Sequence, residues 1–221
     1  MAHGKIGKVA APNLILAPRE YDQRIQDQLT NELRLYFNRL NTYLNSLADT
    51  SGGSGLSFPH IVTYSNAEQF AGGDDTPTLV TFSDTSDNVG FTFNADGTAT
   101  ALHSGTYKIE YRLQALNTDN VAHDVVVWMQ VNGVDVPDSA TKYSIPARKS
   151  ASDFTFNVLA SFISYHTAAD DKFALYWATN QAYESGVQDG VYLEYEAAQT
   201  SPYEHPEIPS AYGVIQYIGR E

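Results

Sequence analysis

Residues able to do chemistry are few in this chain, and they are scattered. The six histidines are His3, His60, His103, His123, His166 and His205. No two share the i, i+4 spacing that sets a pair of imidazoles on one helix face, and no H-E-x-x-H run exists. His103 precedes a turn at Gly105 and His166 adjoins a turn at Asp170, so both are expected in surface loops. Asp74-Asp75, Asp84 with Asp87, and Asp170-Asp171 carry the oxygens that calcium takes, but the D-x-D-G loop pattern is missing. They read as solvated turn carboxylates, and no metal site is expected. The same turns account for the acids that a glycosidase would pair across a glycosidic bond. Ser51-Gly52-Gly53-Ser54-Gly55 lacks the lysine of a phosphate-cradling loop, and no G-x-S-x-G elbow appears. Cysteine is absent, which removes thiolate nucleophiles and disulfides. Trp128 and Trp177 lie inside apolar runs and read as core residues before sugar platforms. The expectation is a protein that is not an enzyme, with no catalytic residue and no cofactor.

Charge and composition point instead to structure and binding. Residues 1–50 carry six basic and five acidic side chains, and residues 51–221 carry seven and twenty-one, so the net charges are +1 and −14. An acidic surface repels nucleic acid and keeps a crowded protein soluble, so no nucleic-acid partner is expected. No stretch approaches the roughly 18 apolar residues of a membrane span, and no membrane partner is expected. The opening MAHGKIGKVAAPNLIL lacks the uninterrupted apolar core of about 7–15 residues that a signal peptide needs. Fifteen tyrosines suit half-buried strands and wet interfaces, because the ring can be buried while the hydroxyl finds a partner.

The elements fall into two parts. Residues 1–20 read as an extended arm, since Pro12 and Pro18 oppose helix, and Leu14, Ile15 and Leu16 between them form an apolar patch too short to make a core. Residues 21–48 read as a helix. Leu29, Leu33, Tyr36, Leu40, Tyr43 and Leu47 follow one another at spacings of 4, 3, 4, 3 and 4, a heptad seam under three heptads long. Leu35, Phe37 and Leu44 lie off that seam, so the helix offers apolar surface to more than its own copies. The arm and helix, 1–50, are therefore expected to anchor and to associate. Residues 51–57 are a Gly/Ser linker, and 58–221 read as one β domain.

Within that domain Gly90–Tyr111 reads as strand, turn, strand, turn, strand, a three-stranded meander. Ile61–Tyr64, Thr78–Phe82, Phe154–Ile163, Lys172–Ala178, Gly190–Tyr195 and Ala211–Ile218 read as further strands. Val125–Val131 is nearly continuous apolar, as for a strand buried on both faces, and Asn132-Gly133 is a hairpin turn. Many short strands with no helix between them give an antiparallel sandwich.

Gly105-Thr-Tyr107-Lys-Ile109-Glu-Tyr111 resembles the Gly-X-Tyr-X-Phe-X-aromatic signature of tumour-necrosis-factor/complement-type jelly rolls. Val131-Asn132-Gly133 with Ser139-Ala140, Thr167–Trp177, and Ile208-Pro209-Ser210 resemble segments of bacteriophage versions of that domain, with Ala169 where glycine is usual. Pro12-Asn13-Leu14, Pro18, Tyr21-Asp22 and Leu33–Asn38 resemble an N-terminal segment of virion structural proteins of tailed phages. The resemblance implies a mainly β antiparallel jelly-roll sandwich behind an extended arm and one α-helix. It implies a homotrimer on the particle surface, a capsid decoration or cement protein or a short head fibre, with other virion proteins (a major capsid protein or tail proteins) as partners. The alternative is a tail fibre or receptor-binding protein that recognises host glycans through its loops.

Overall fold

The computed structural model describes residues 22–47, 58–150, 154–201 and 204–219. Leu14, Ile15, Leu16 and the linker 51–57 lie outside the described residues. The chain divides into two units, Met1–Ser57 and Phe58–Glu221.

In the first unit α1 spans Gln23–Leu47. It starts two residues later than the sequence pattern suggests, because Asp22 caps it. The Asp22 carboxylate accepts a hydrogen bond from the Arg24 N–H at 2.9 Å, and its carbonyl accepts from the Gln26 N–H at 3.2 Å. Among the described residues no helix is long and apolar enough to cross a membrane.

The second unit is built of strands: β1 (His60–Ser65), β2 (Gln69–Phe70), β3 (Thr78–Leu79), β4 (Asp84–Val89), β5 (Phe91–Phe93), β6 (Ala99–Ala101), β7 (Gly105–Asn117), β8 (His123–Val131), β9 (Val134–Asp135), β10 (Thr141–Ile145), β11 (Thr155–Thr167), β12 (Lys172–Thr179), β13 (Val191–Leu193) and β14 (Ala211–Gly219). One sheet runs β4-β1-β14-β7-β11, with β13 and β2 continuing past the end of β14. The other runs β10-β8-β12-β6-β5, with β3 on β12 and β9 on β8. Every pairing between these strands is antiparallel. β1 pairs with β14, β6 with β12, β7 with β11 and β8 with β10. First with last, second with second-last, and so inward is the nesting of one long ribbon rolled into a sandwich, which is a jelly roll. The antiparallel jelly-roll sandwich preceded by one helix is the fold class the sequence suggested.

Alternation along the strands places the core between the sheets. Trp177, Tyr107, Ile61, Leu113, Met129, Leu159 and Leu193 are fully buried there. Ile163 of β11 packs against both halves of that core. The sequence reading needs four corrections. Gly90–Tyr111 is not a meander: β5 and β6 pair with each other, but β7 crosses to the opposite sheet. The small turn Ser104-Gly105 looks the same from sequence whether the chain folds back or crosses over. β8 is not buried on both faces, because buried and half-exposed residues alternate along it, and Trp128 therefore faces outward while Trp177 is buried. The strand expected over Thr78–Phe82 is only two residues long. β4 and β10 had no signal, since DTSDNV and TKYSI show little apolar alternation.

Candidate interaction face

Among the strands that end the first sheet, β4 and β11 differ in chemistry. β4 closes one edge with Asp84 and Asp87, and charges there block pairing with another chain. Another edge is β11, whose thirteen residues TFNVLASFISYHT include no Asp, Glu, Lys, Arg or Pro. Its inward phase (Leu159, Ile163, Tyr165) fills the core. Its outward phase carries Phe156, Val158 and Phe162 at 52%, 55% and 67% exposure, preceded by Phe154 at 37%. Both phases are apolar, so periodicity marks the strand but cannot say which face meets solvent.

Register sets this stripe beside a charged row. Val158 lies opposite Gln114, Ala160 opposite Arg112, Phe162 opposite Glu110 and Ser164 opposite Lys108. Lys108 pairs with Glu110 at 2.7 Å and holds its ammonium 5.2 Å from the centre of the Phe162 ring. Arg112 lies 5.5 Å from the Tyr212 ring. The face therefore combines an apolar stripe with neighbouring charges of both signs.

The signature residues Gly105, Tyr107, Ile109 and Tyr111 lie on β7 and serve the core. Tyr107 is fully buried, donates its hydroxyl to the His103 carbonyl at 2.9 Å, and meets the rings of Phe91, Phe173 and Tyr217. The Tyr111 hydroxyl is 3.1 Å from that of Tyr143, and burial pushes its pKa above the ordinary tyrosine value. Gly105 has φ 154°, and a Cβ there would come 2.3 Å from the Tyr217 ring.

Along α1, Leu29, Leu33, Tyr36 and Leu40 of the seam are half-buried, while Leu35, Phe37 and Leu44 stand 52%, 58% and 53% exposed. Tyr43 and Leu47 fall in the helix, but their side chains lie outside the described residues. The structure brings the helical candidates onto one element. The sequence reading left β11 out of the interface.

The candidate chemical groups prove to be fastenings. Asp74 accepts from the Ala182 N–H and Gln188 Nε2, and Asp171 from Thr167, the Ala168 N–H and Asn132. Asp84 accepts from the Tyr64 hydroxyl, and Asp87 sits 2.9 Å from His60 Nε2. His166 lies within β11 rather than in a loop, with Nδ1 at 3.2 Å from the Thr106 hydroxyl. His123 is buried against Asp119 at 2.9 Å, a contact the sequence did not signal. Among the described residues no group of three or more metal-ligating side chains forms.

No protein-family model matches the sequence, and no curated protein matches it. Among solved structures the chain is similar to the globular domain of zebrafish complement 1qA protein, at 14% identity and a TM-score of 0.43, over 75% of this chain and 100% of that one. It is also similar to the Eiger TNF from S. frugiperda, at 12% identity and a TM-score of 0.40, over 74% of this chain and 95% of that one.

Proposed function

We propose that this protein is a homotrimeric structural component of a tailed-phage particle surface. It is a capsid decoration protein or short head fibre, held by residues 1–50 with the acidic jelly roll outward. The observation that carries self-association is the unprotected β11 edge. A long, uncharged strand with three outward apolar side chains is an aggregation hazard unless a partner covers it. A second copy of the chain is the partner best suited to it, because Lys108, Glu110 and Arg112 beside the stripe supply charges of both signs. The heptad spacing of α1 supports the same reading. Support for a particle comes from the sequence resemblances of the N-terminal segment and of the jelly roll, and from the charge split between the two units. Major capsid or tail proteins are the docking partners in this reading.

Sedimentation equilibrium should give three times the 24.3 kDa chain mass; a monomer at micromolar concentration removes the trimer. Electron microscopy of particles labelled on this protein should place it on the head. Label on the tail favours the receptor-binding alternative, and unlabelled particles overturn the virion assignment. Particles assembled with a chain lacking residues 1–50 should not carry it, and if they do, the anchor lies elsewhere.

A further inference from the structure

The outer face of the β8–β12 sheet carries an aromatic pair that the core does not need. Tyr176 and Trp128 are cross-strand partners, with ring centres 5.9 Å apart and planes 26° from parallel. Their sequence neighbours Val127, Met129, Leu175 and Trp177 point into the sandwich, so both aromatic rings lie on the solvent side. The Trp128 indole is fixed: its N–H donates to Asp135 at 2.8 Å, and Gln130 Nε2 donates to the same carboxylate oxygen at 2.9 Å.

Tyr176 lines a solvent-open hollow of about 370 Å³, together with Gln130, Asn132, Asp96, Thr98 and Lys172. Lys172 and Asp96 neutralise each other at 2.5 Å, so the hollow offers little net charge to a ligand. Asn132 is spent on Asp171 and the Lys172 N–H. The Tyr176 hydroxyl and Gln130 Oε1 make no hydrogen bond among the described residues. A flat apolar ring beside unspent polar atoms, in a hollow without net charge, suits a ligand with one C–H face and a rim of hydroxyls.

We propose that this face binds a neutral saccharide, with a pyranose ring stacked on Tyr176, Trp128 bracing Tyr176 from behind, and ligand hydroxyls bonded to Gln130 and the Lys172–Asp96 pair. The site lies on the sheet opposite to β11, and it stands whether or not the chain trimerises or belongs to a phage. The sugar would be a neutral hexose unit within an oligosaccharide or polysaccharide.

The test titrates the full chain with cellohexaose, maltohexaose and mannohexaose, and with a hyaluronan hexamer as the anionic comparison. Saturation-transfer NMR reads contact, and tryptophan fluorescence reads Trp128, because Trp177 is fully buried. At least one neutral hexamer should bind with a dissociation constant of about 1 mM or tighter. Tyr176→Ala should weaken it at least about tenfold, with the melting temperature serving as a fold check. If that variant fails to fold, Gln130→Leu serves in its place and should also weaken binding. Val187→Ser, at an exposed position in the turn after Glu184, should leave affinity unchanged. Absence of saturation transfer from all three neutral hexamers overturns the site. So does undiminished affinity in the folded Tyr176→Ala or Gln130→Leu variant, or preference for hyaluronan.

Discussion

Among the described residues, Glu194 is the carboxylate whose setting departs most from that of a surface group. Burial first, then the negative charges of Glu196 and Glu68, push its pKa up to about 7, and its Oε2 has no hydrogen-bond partner. The folded chain holds this proton more tightly than the unfolded chain, whose value is 4.5. The stabilisation it brings is therefore complete below 4.5 and is lost as pH rises through about 7. Glu194→Gln imitates the protonated form. It should melt like the parent near pH 4 and about 2–4 °C higher near pH 8, about 1 kcal/mol, because solvent around this half-exposed carboxyl screens most of what the full shift would bring. Thermal melts at the two pH values check this, and an equal shift at both would remove the titration argument. Gly105 offers a second test at this scale. A methyl group there meets the Tyr217 ring at a backbone angle that side chains rarely adopt. Gly105→Ala should cost about 2–4 kcal/mol in urea unfolding. Both residues were in plain view in the sequence, but only one could be read there. Gly105 announces a turn, whereas the isolation of Glu194 depends on what packs around it.

At the scale of elements, β11 and α1 present the surfaces that a lone chain leaves open. The outward phase of β11 adds nothing to the core, so Phe156→Ser with Phe162→Ser should leave the fold unchanged by circular dichroism. It should convert the proposed trimer to a monomer in sedimentation; a trimer that survives both changes would move the interface off this strand. Asp22 sets the start of α1 through its bond to the Arg24 N–H. Asp22→Ala should cost about 1 kcal/mol of helix stability, seen as a drop in helical signal on heating. The helix was legible in the sequence because heptad spacing survives any surroundings. β11 was legible as a strand but not as a face. In Thr155–Thr167 both alternating sets include apolar residues, and only pairing with β7 decides that Leu159 turns in and Phe162 turns out. β4 escaped notice because its residues are polar, and that polarity is what protects an edge.

For the whole molecule, the charge split and the division into two units coincide to within a few residues. The unit Phe58–Glu221 has its own core, so a chain beginning at Phe58 should unfold in one cooperative step at nearly the full chain's melting temperature. A broad or strongly lowered transition would mean that residues 1–57 complete the fold. The sequence by itself determined the class of this protein: strands of period two, turns at Gly97, Gly105 and Asn132-Gly133, a heptad helix, and an acidic second part. These are local properties, set by backbone sterics and side-chain type within a few residues. The tertiary structure decided which strands share a sheet, that β7 crosses over instead of closing a meander, and that Trp128 faces solvent while Trp177 does not. Those outcomes depend on pairing between residues far apart in the chain, because a strand's two faces are equivalent until a partner strand and a core give them different surroundings.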